Sequence, residues 1–184
     1  MKKYLAFAIS LLVLFTLSAF SGSFTLGGTF GYYSVADSIY KDLYGSGSVI
    51  YGGFVSIGVM HRIELRGDIA YFKDSGRTSL TRENTNFSLL PVAFGARIKL
   101  INEKSIRPYF GAGASFYFYK ETARIGDTSD TAVGFYLEGG SYIVVGNRFH
   151  FDLNLRYINS NTKSLDESIN LGGINTGIGL GYTF

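Results

Sequence analysis

The sequence predicts an all-β fold, an eight-stranded antiparallel transmembrane β-barrel. Three observations carry this expectation. Long segments alternate apolar and polar residues with period two. The connections between them alternate between short and long. The chain stops on an aromatic, Phe184, in the middle of the strand pattern "INLGGINTGIGLGYTF".

Residues 1–23, "MKKYLAFAISLLVLFTLSAFSGS", hold two lysines, an apolar run and then small residues. That order is a secretory signal peptide, and the apolar run of about 15 residues is short for a spanning helix. Cleavage after Ser21 or Ser23 fits, leaving residues 24–184 as one domain. Loss of Lys2 and Lys3 lowers the formal charge from +3 to +1, which leaves no electrostatic footprint for nucleic acid. An exported chain without cysteine has no disulfide framework, so its stability rests on hydrogen bonds and packing.

The clearest strands are "RIELRGDIAYFK" and "RFHFDLNLRYI". The first sets Ile63, Leu65, Gly67, Ile69 and Tyr71 against Arg62, Glu64, Arg66, Asp68, Ala70 and Phe72. The second sets Phe149, Phe151, Leu153, Leu155 and Tyr157 against His150, Asp152, Asn154 and Arg156. A helix would scatter these charges around its circumference. The same reading places strands near 24–35, 49–60, 62–73, 87–100, 106–119, 132–145, 148–158 and 169–184. Each is long enough for the ~9–11 residues a tilted strand needs to cross hydrocarbon. "HR", "INEKS" and "GN" are short turns, whereas "ADSIYKDLYGSGS", "DSGRTSLTRENTN", "KETARIGDTSDT" and "NSNTKSLDES" are long and polar. An even strand number puts both termini on the short-turn, periplasmic side.

Alternation alone does not say which face points outward, and a soluble lipocalin-like barrel is the alternative. Strand length, aromatics at strand ends ("GYYS", "AYFK", "SFYFYK", "GYTF") and small residues on the charged face favour apolar-out. In lipid every backbone polar group must be paired, so the last strand must close on the first, near "FTLGGTFGYYSV". Ile178, Leu180, Tyr182 and Phe184 then face lipid, while Gly177, Gly179 and Gly181 face the bore.

"LLPVAFGARIKL", "IRPYFGAGASFYFY", "VGFYLEGGSYIVVGNRFHFDLNLRY" and the terminal "GLGYTF" resemble the small eight-stranded outer-membrane β-barrel family, with its OmpX-type, OmpW-type and OmpA-transmembrane-domain members. The resemblance covers nearly all of residues 24–184. It implies the cell outer membrane as location, with outer-membrane lipids and lipopolysaccharide as surroundings. It also implies that Ile178, Leu180, Tyr182 and Phe184 form the C-terminal signal read by the barrel-assembly machinery. It says little about chemistry, because fold does not fix function.

Candidate functional residues follow from the inward register. Glu64, Arg66, Asp68, Arg97, Lys99, Glu138, Asp152 and Arg156 share it, and counting from the Gly146–Asn147 turn sets Glu138 level with Arg156. In a bore just wide enough for side chains to fill, these charges must pair, so a salt-bridge plug is expected rather than an ion path. His150 faces inward near the periplasmic end, where it and Asp152 could orient one another, and His61 sits in a turn. A lipid A deacylase of this shape uses a His-x-Ser pair. Here Phe-Asp follows His150 and Arg-Ile follows His61, so the motif is absent and no catalytic residue is assigned. No cofactor or metal site is expected.

Pro91 marks a kink or bulge in the fourth strand, the alternative being a lateral opening. Gly95 and the run Gly111 to Ala114 suggest sharp curvature. The loops, with Tyr40, Tyr44, Arg77, Arg82, Lys120 and Arg124, are candidates for surface contact. The reading is a monomeric barrel with a structural or surface-interaction role in envelope integrity or adhesion. The runner-up is a narrow porin-like channel or hydrophobic-solute conduit, and a lipid A-modifying enzyme comes last.

Overall fold

The structure is a computed structural model that describes residues 23–77, 84–101, 105–123, 126–164, 167–170 and 172–184. The expected signal peptide, apart from Ser23, lies outside the described residues, as do Arg82 and Arg124. The described strands are β1 (Phe24–Val35), β2 (Ser48–Gly58), β3 (Ile63–Arg77), β4 (Asn84–Lys99), β5 (Ile106–Ala123), β6 (Gly126–Val145), β7 (Phe149–Ser164), β8 (Glu167–Asn170) and β9 (Gly173–Thr183). A short helix, α1 (Ser38–Tyr44), lies between β1 and β2.

Every described pairing is antiparallel, in the order β6-β5-β4-β3-β2-β1-β9-β7. The β6–β7 ladder closes the ring. The wall therefore has eight strands. β8 continues the β7 partnership beyond the wall in the register of β9, since Ile158 faces Gly173 and Asn161 faces Asn170. The final strand pairs with the first from Thr25–Thr183 to Val35–Gly173, and Phe184 N–H donates to the Phe24 carbonyl at 2.9 Å. No wall strand is left with an open edge inside the bilayer, which satisfies the demand that hydrocarbon places on the backbone.

Faces follow the pleat. Leu26, Phe30, Leu65, Ile69, Phe94, Phe110, Leu137, Leu153 and Leu155 point outward, and Phe110 and Leu137 are 64% and 60% exposed. A belt of that size would drive aggregation in water and is at home in lipid.

Three expectations change. The described parts of the loops "KETARIGDTSDT", "DSGRTSLTRENTN" and "NSNTKSLDES" are strand: β5 and β6 stay paired out to Ala123–Gly126, β3 and β4 to Arg77–Asn84, and β7 and β8 to Ser164–Glu167. These extensions stand outside the membrane and are polar on both faces, so they carry no alternation to read. The first long loop contains α1, begun by Asp37, whose Oδ1 accepts the Tyr40 N–H at 3.0 Å, and ended at Gly45, which has φ of 90°. Pro91 makes no bulge. Ile69 faces Val92 and Phe72 faces Leu89, so the register is unbroken and only the Ala70–Pro91 and Tyr71–Leu90 bridges are missing.

Gly95 and Gly113 face inward beneath a side chain from β6. A Cβ on either would strike the Tyr136 hydroxyl as well as neighbouring backbone. Gly139 faces outward, and its Cβ would make ordinary contacts with the Phe110 ring at 3.5 and 3.6 Å. Gly113→Val should therefore lower stability by about 1–3 kcal/mol through overpacking, whereas Gly139→Ala should leave it within ~0.5 kcal/mol. Urea unfolding in lipid vesicles, with folding checked by mobility on unheated gels, measures both.

Candidate functional site: the filled bore

The bore has two layers. The periplasmic half, next to the termini and short turns, is ionic. All eight inward charges noted in the sequence lie there: Glu64, Arg66 and Asp68 on β3, Arg97 and Lys99 on β4, Glu138 on β6, and Asp152 and Arg156 on β7.

Arg97 is the centre and is fully buried. Its Nε and Nη2 donate to the two oxygens of Glu138 at 2.7 and 3.0 Å. Its Nη1 donates to Asp152 Oδ2 at 2.9 Å and to the Tyr142 hydroxyl at 2.7 Å. Arg66 donates to Asp152 Oδ2 at 2.9 Å and to Asp68 at 2.8 Å. Arg156 faces Glu138 across the β6–β7 ladder and bridges Glu138, at 3.0 Å from Nη2, to Asp68, at 3.1 Å. The last pair, Lys99 and Glu64 at 2.8 Å, joins the rest through the Tyr142 hydroxyl, which donates to Glu64 at 2.7 Å.

Four positive and four negative groups thus form one connected, neutral network. Neutrality matters because an uncompensated charge in this setting costs several kcal/mol. Aromatic rings complete the solvation. The Arg66 guanidinium lies 3.6 Å from the Phe54 ring centroid, Arg97 lies 4.3 Å from that of Tyr109, and Arg156 lies 4.1 Å from that of Tyr136. Tyr109 also donates to Asp152 Oδ1 at 2.6 Å. These aromatic partners were missed in the sequence, although Tyr109 and Tyr142 share the inward parity of Gly111 and Glu138. The mid-bore space beside Arg66, Asp68, Asn154 and Arg156 is a cavity of about 40 Å³.

His150 and Asp152 do not orient one another. Asp152 is taken by Arg66, Arg97 and Tyr109, while the His150 ring packs against Tyr142 and Phe54. No group of three or more potential metal ligands occurs among the described residues.

The extracellular half is filled mainly by aromatic and aliphatic side chains, so the salt-bridge plug expected from the sequence occupies only the periplasmic half of the bore. Tyr33, Ile50, Phe72, Phe87, Leu89, Tyr117 and Ile158 form a buried cluster there. Helix α1 roofs it: Tyr40 packs edge-on to Phe87 at 5.4 Å, and Tyr44 lies 5.7 Å from the same ring. The Tyr40 hydroxyl donates to Asp74 at 3.1 Å, and Asp37 Oδ2 accepts the Asn170 N–H at 3.1 Å, tying α1 to two other extracellular segments. Burial and the neighbouring Asp74 carboxylate push the Tyr40 hydroxyl well above its ordinary pKa. Of the C-terminal residues, Ile178, Leu180 and Phe184 are exposed on the outer wall. Tyr182 stacks edge-on with Phe149 and Phe184 at 5.0 and 4.9 Å, forming part of the lower aromatic girdle.

A family model described as the outer membrane protein beta-barrel domain matches residues 7–184. The chain belongs to this family. Solved outer-membrane barrels share the fold. Neisserial surface protein A, NspA, is 17% identical with a TM-score of 0.68, covering 89% of this chain and 100% of its own. OprG from Pseudomonas aeruginosa is 14% identical with a TM-score of 0.71, over 89% and 96%. The attachment invasion locus protein Ail of Yersinia pestis, solved with the heparin analogue sucrose octasulfate, is 17% identical with a TM-score of 0.58, over 89% and 99%. At these identities the likeness carries the fold alone. No curated protein matches the chain. The outer-membrane barrel is therefore placed by family and architecture, and its bore is described by its own residues.

The network ranks its members. Glu138→Gln takes a carboxylate from two guanidinium groups at once, leaving Arg97 with Asp152 and Arg156 with Asp68, and should cost up to about 3–5 kcal/mol. Arg156→Gln leaves Glu138 on Arg97 and Asp68 on Arg66 and should cost less. Arg97→Gln combined with Glu138→Gln should cost less than the sum of the two single changes, and additive losses in vesicle unfolding would refute the pairing.

Proposed function

We propose that the protein is a non-conducting outer-membrane barrel with a structural or surface-interacting role. One observation carries the reading: the neutral ionic layer around Arg97 spans the bore, with an aromatic layer above it and α1 above that. Hydrated ions would have to break charge-assisted hydrogen bonds between buried groups to pass. A hydrophobic solute would have to displace packed rings and the α1 roof. With the bore closed, the extracellular segments are the parts left to meet a partner, and a rigid scaffold presenting loops is a common way to build a binding surface. The reading includes no catalytic role and no cofactor. It includes export through a cleaved signal peptide, assembly through the terminal Phe184 strand, and life as a monomer among outer-membrane lipids and lipopolysaccharide.

Planar-bilayer recording of the purified protein should show no reproducible unitary steps. Tyr40→Ala should remain silent as well, because the ionic layer lies below the roof it loosens. Regular steps in the unmodified protein would establish a narrow channel instead. Unchanged lipid A mass spectra with and without the protein are expected.

A further inference from the structure

The ionic layer leaves some of its own donors unclaimed, and they converge on one place. Arg66 is 3% exposed. Its Nε and Nη1 hold Asp68 and Asp152, while its Nη2 has no acceptor among the described residues. Arg156 spends Nε and Nη2 on Glu138 and Asp68, and its Nη1 likewise has no acceptor among them. Neither nitrogen is sealed off by packing. Both arginines line the mid-bore cavity of about 40 Å³.

The room comes from β1 and β9, whose inward residues at this level are Thr29, Gly31, Asn175 and Gly177, all short. Three side chains on the cavity wall, Thr29, Asn154 and Asn175, also have no hydrogen-bond partner among the described residues. Each asparagine offers two donors and an oxygen with two lone pairs. Guanidinium donors and amide and hydroxyl oxygens thus surround one small space.

Its occupant must accept from guanidinium N–H groups, donate to amide and hydroxyl oxygens, and bring no net charge. The last condition follows from the four-to-four balance of the layer, since an added ion would stand uncompensated in a buried site. An apolar void stays dry, whereas a polar one admits water at ~10–15 Å³ for each molecule.

We infer that this cavity binds a cluster of about three ordered water molecules, which joins Arg66 and Arg156 to Thr29, Asn154 and Asn175 and completes the solvation of the plug. Asp152 packs across Gly179 below the cavity, where a glycine Cβ would meet the Asp152 Cβ at 3.3 Å. Ile50, part of the buried cluster, bounds it above. Exchange with bulk is therefore slow, and the water is a structural component rather than a column of mobile solvent. The site does not depend on what the extracellular segments meet.

Water–protein NOE and ROE spectra of the labelled protein in deuterated maltoside micelles read the site directly. The side-chain amide signals are assigned by their loss in Asn154→Ala and Asn175→Ala. In the unmodified protein both amides should show water cross-peaks of opposite sign in the two spectra, the mark of long-held water, because proton exchange alone gives equal signs. Ala70→Val places two extra methyl groups on the cavity wall. It should abolish these peaks and lower the folding constant in vesicles about tenfold, as expected when buried donors lose their acceptor. Thr29→Val keeps the shape without the hydroxyl and should lower it about threefold. Unheated-gel mobility confirms that each variant is folded. Absent or equal-sign peaks in the unmodified protein overturn the water cluster. So does undiminished stability in Ala70→Val, which marks a void that apolar mass can fill. A saturable shift of both amides on titration with chloride or phosphate assigns an anion and overturns it as well.

Discussion

Closure of the backbone hydrogen-bond ladder is the constraint on which everything else rests. A strand that lies in hydrocarbon with an unpaired edge loses several kcal/mol for each exposed N–H and C=O. The chain escapes by pairing its last strand with its first, with Phe184 bonded back to Phe24. Eight strands give a cylinder so narrow that side chains from opposite walls touch. That is why Arg66 on β3 reaches Asp152 on β7, two strands that never pair with each other. The bore chemistry is thus a consequence of the closure number.

The two layers of the bore solve the same packing problem by different means. In the ionic layer, desolvation of each guanidinium is offset by carboxylates on several strands and by facing rings. Arg97 alone reaches β6 and β7 and the faces of Tyr109 and Tyr142. Such a layer fixes registry, since a slip of one residue would turn each charge into lipid. In the upper layer, aromatic packing needs no partner geometry of that kind, and it continues smoothly into the α1 roof. A short helix such as α1 has little stability of its own. It persists because Asp37 caps it and because Tyr40 is buried against Phe72 and Phe87.

Much of this was legible in the sequence, and the gaps have physical causes. Inside the membrane, one face meets lipid and the other the bore, so Glu64, Arg66, Asp68 and their counterparts announce their orientation by parity alone. Which carboxylate a given arginine takes was not legible. Counting from the Gly146 turn sets Glu138 opposite Arg156, and the two do face each other, yet the two-toothed grip on Glu138 belongs to Arg97, which approaches across the bore. Cross-lumen distance has no trace in local spacing. Outside the membrane the strands of β5 and β6 lose their contrast and read as loop. The α1 segment had a weak signature, the Tyr40 and Tyr44 rings four residues apart and stacked at 5.0 Å, which a polar setting obscured.

The ties made by Asp37 have a temporal meaning. Its second oxygen is held by Asn170, 133 residues further along the chain, and Ala36 N–H is held by Gly172. These two ties can form only once the C-terminal segment lies beside the N-terminal one. The fastening of the extracellular mouth is therefore completed by the same two chain ends whose pairing closes the sheet.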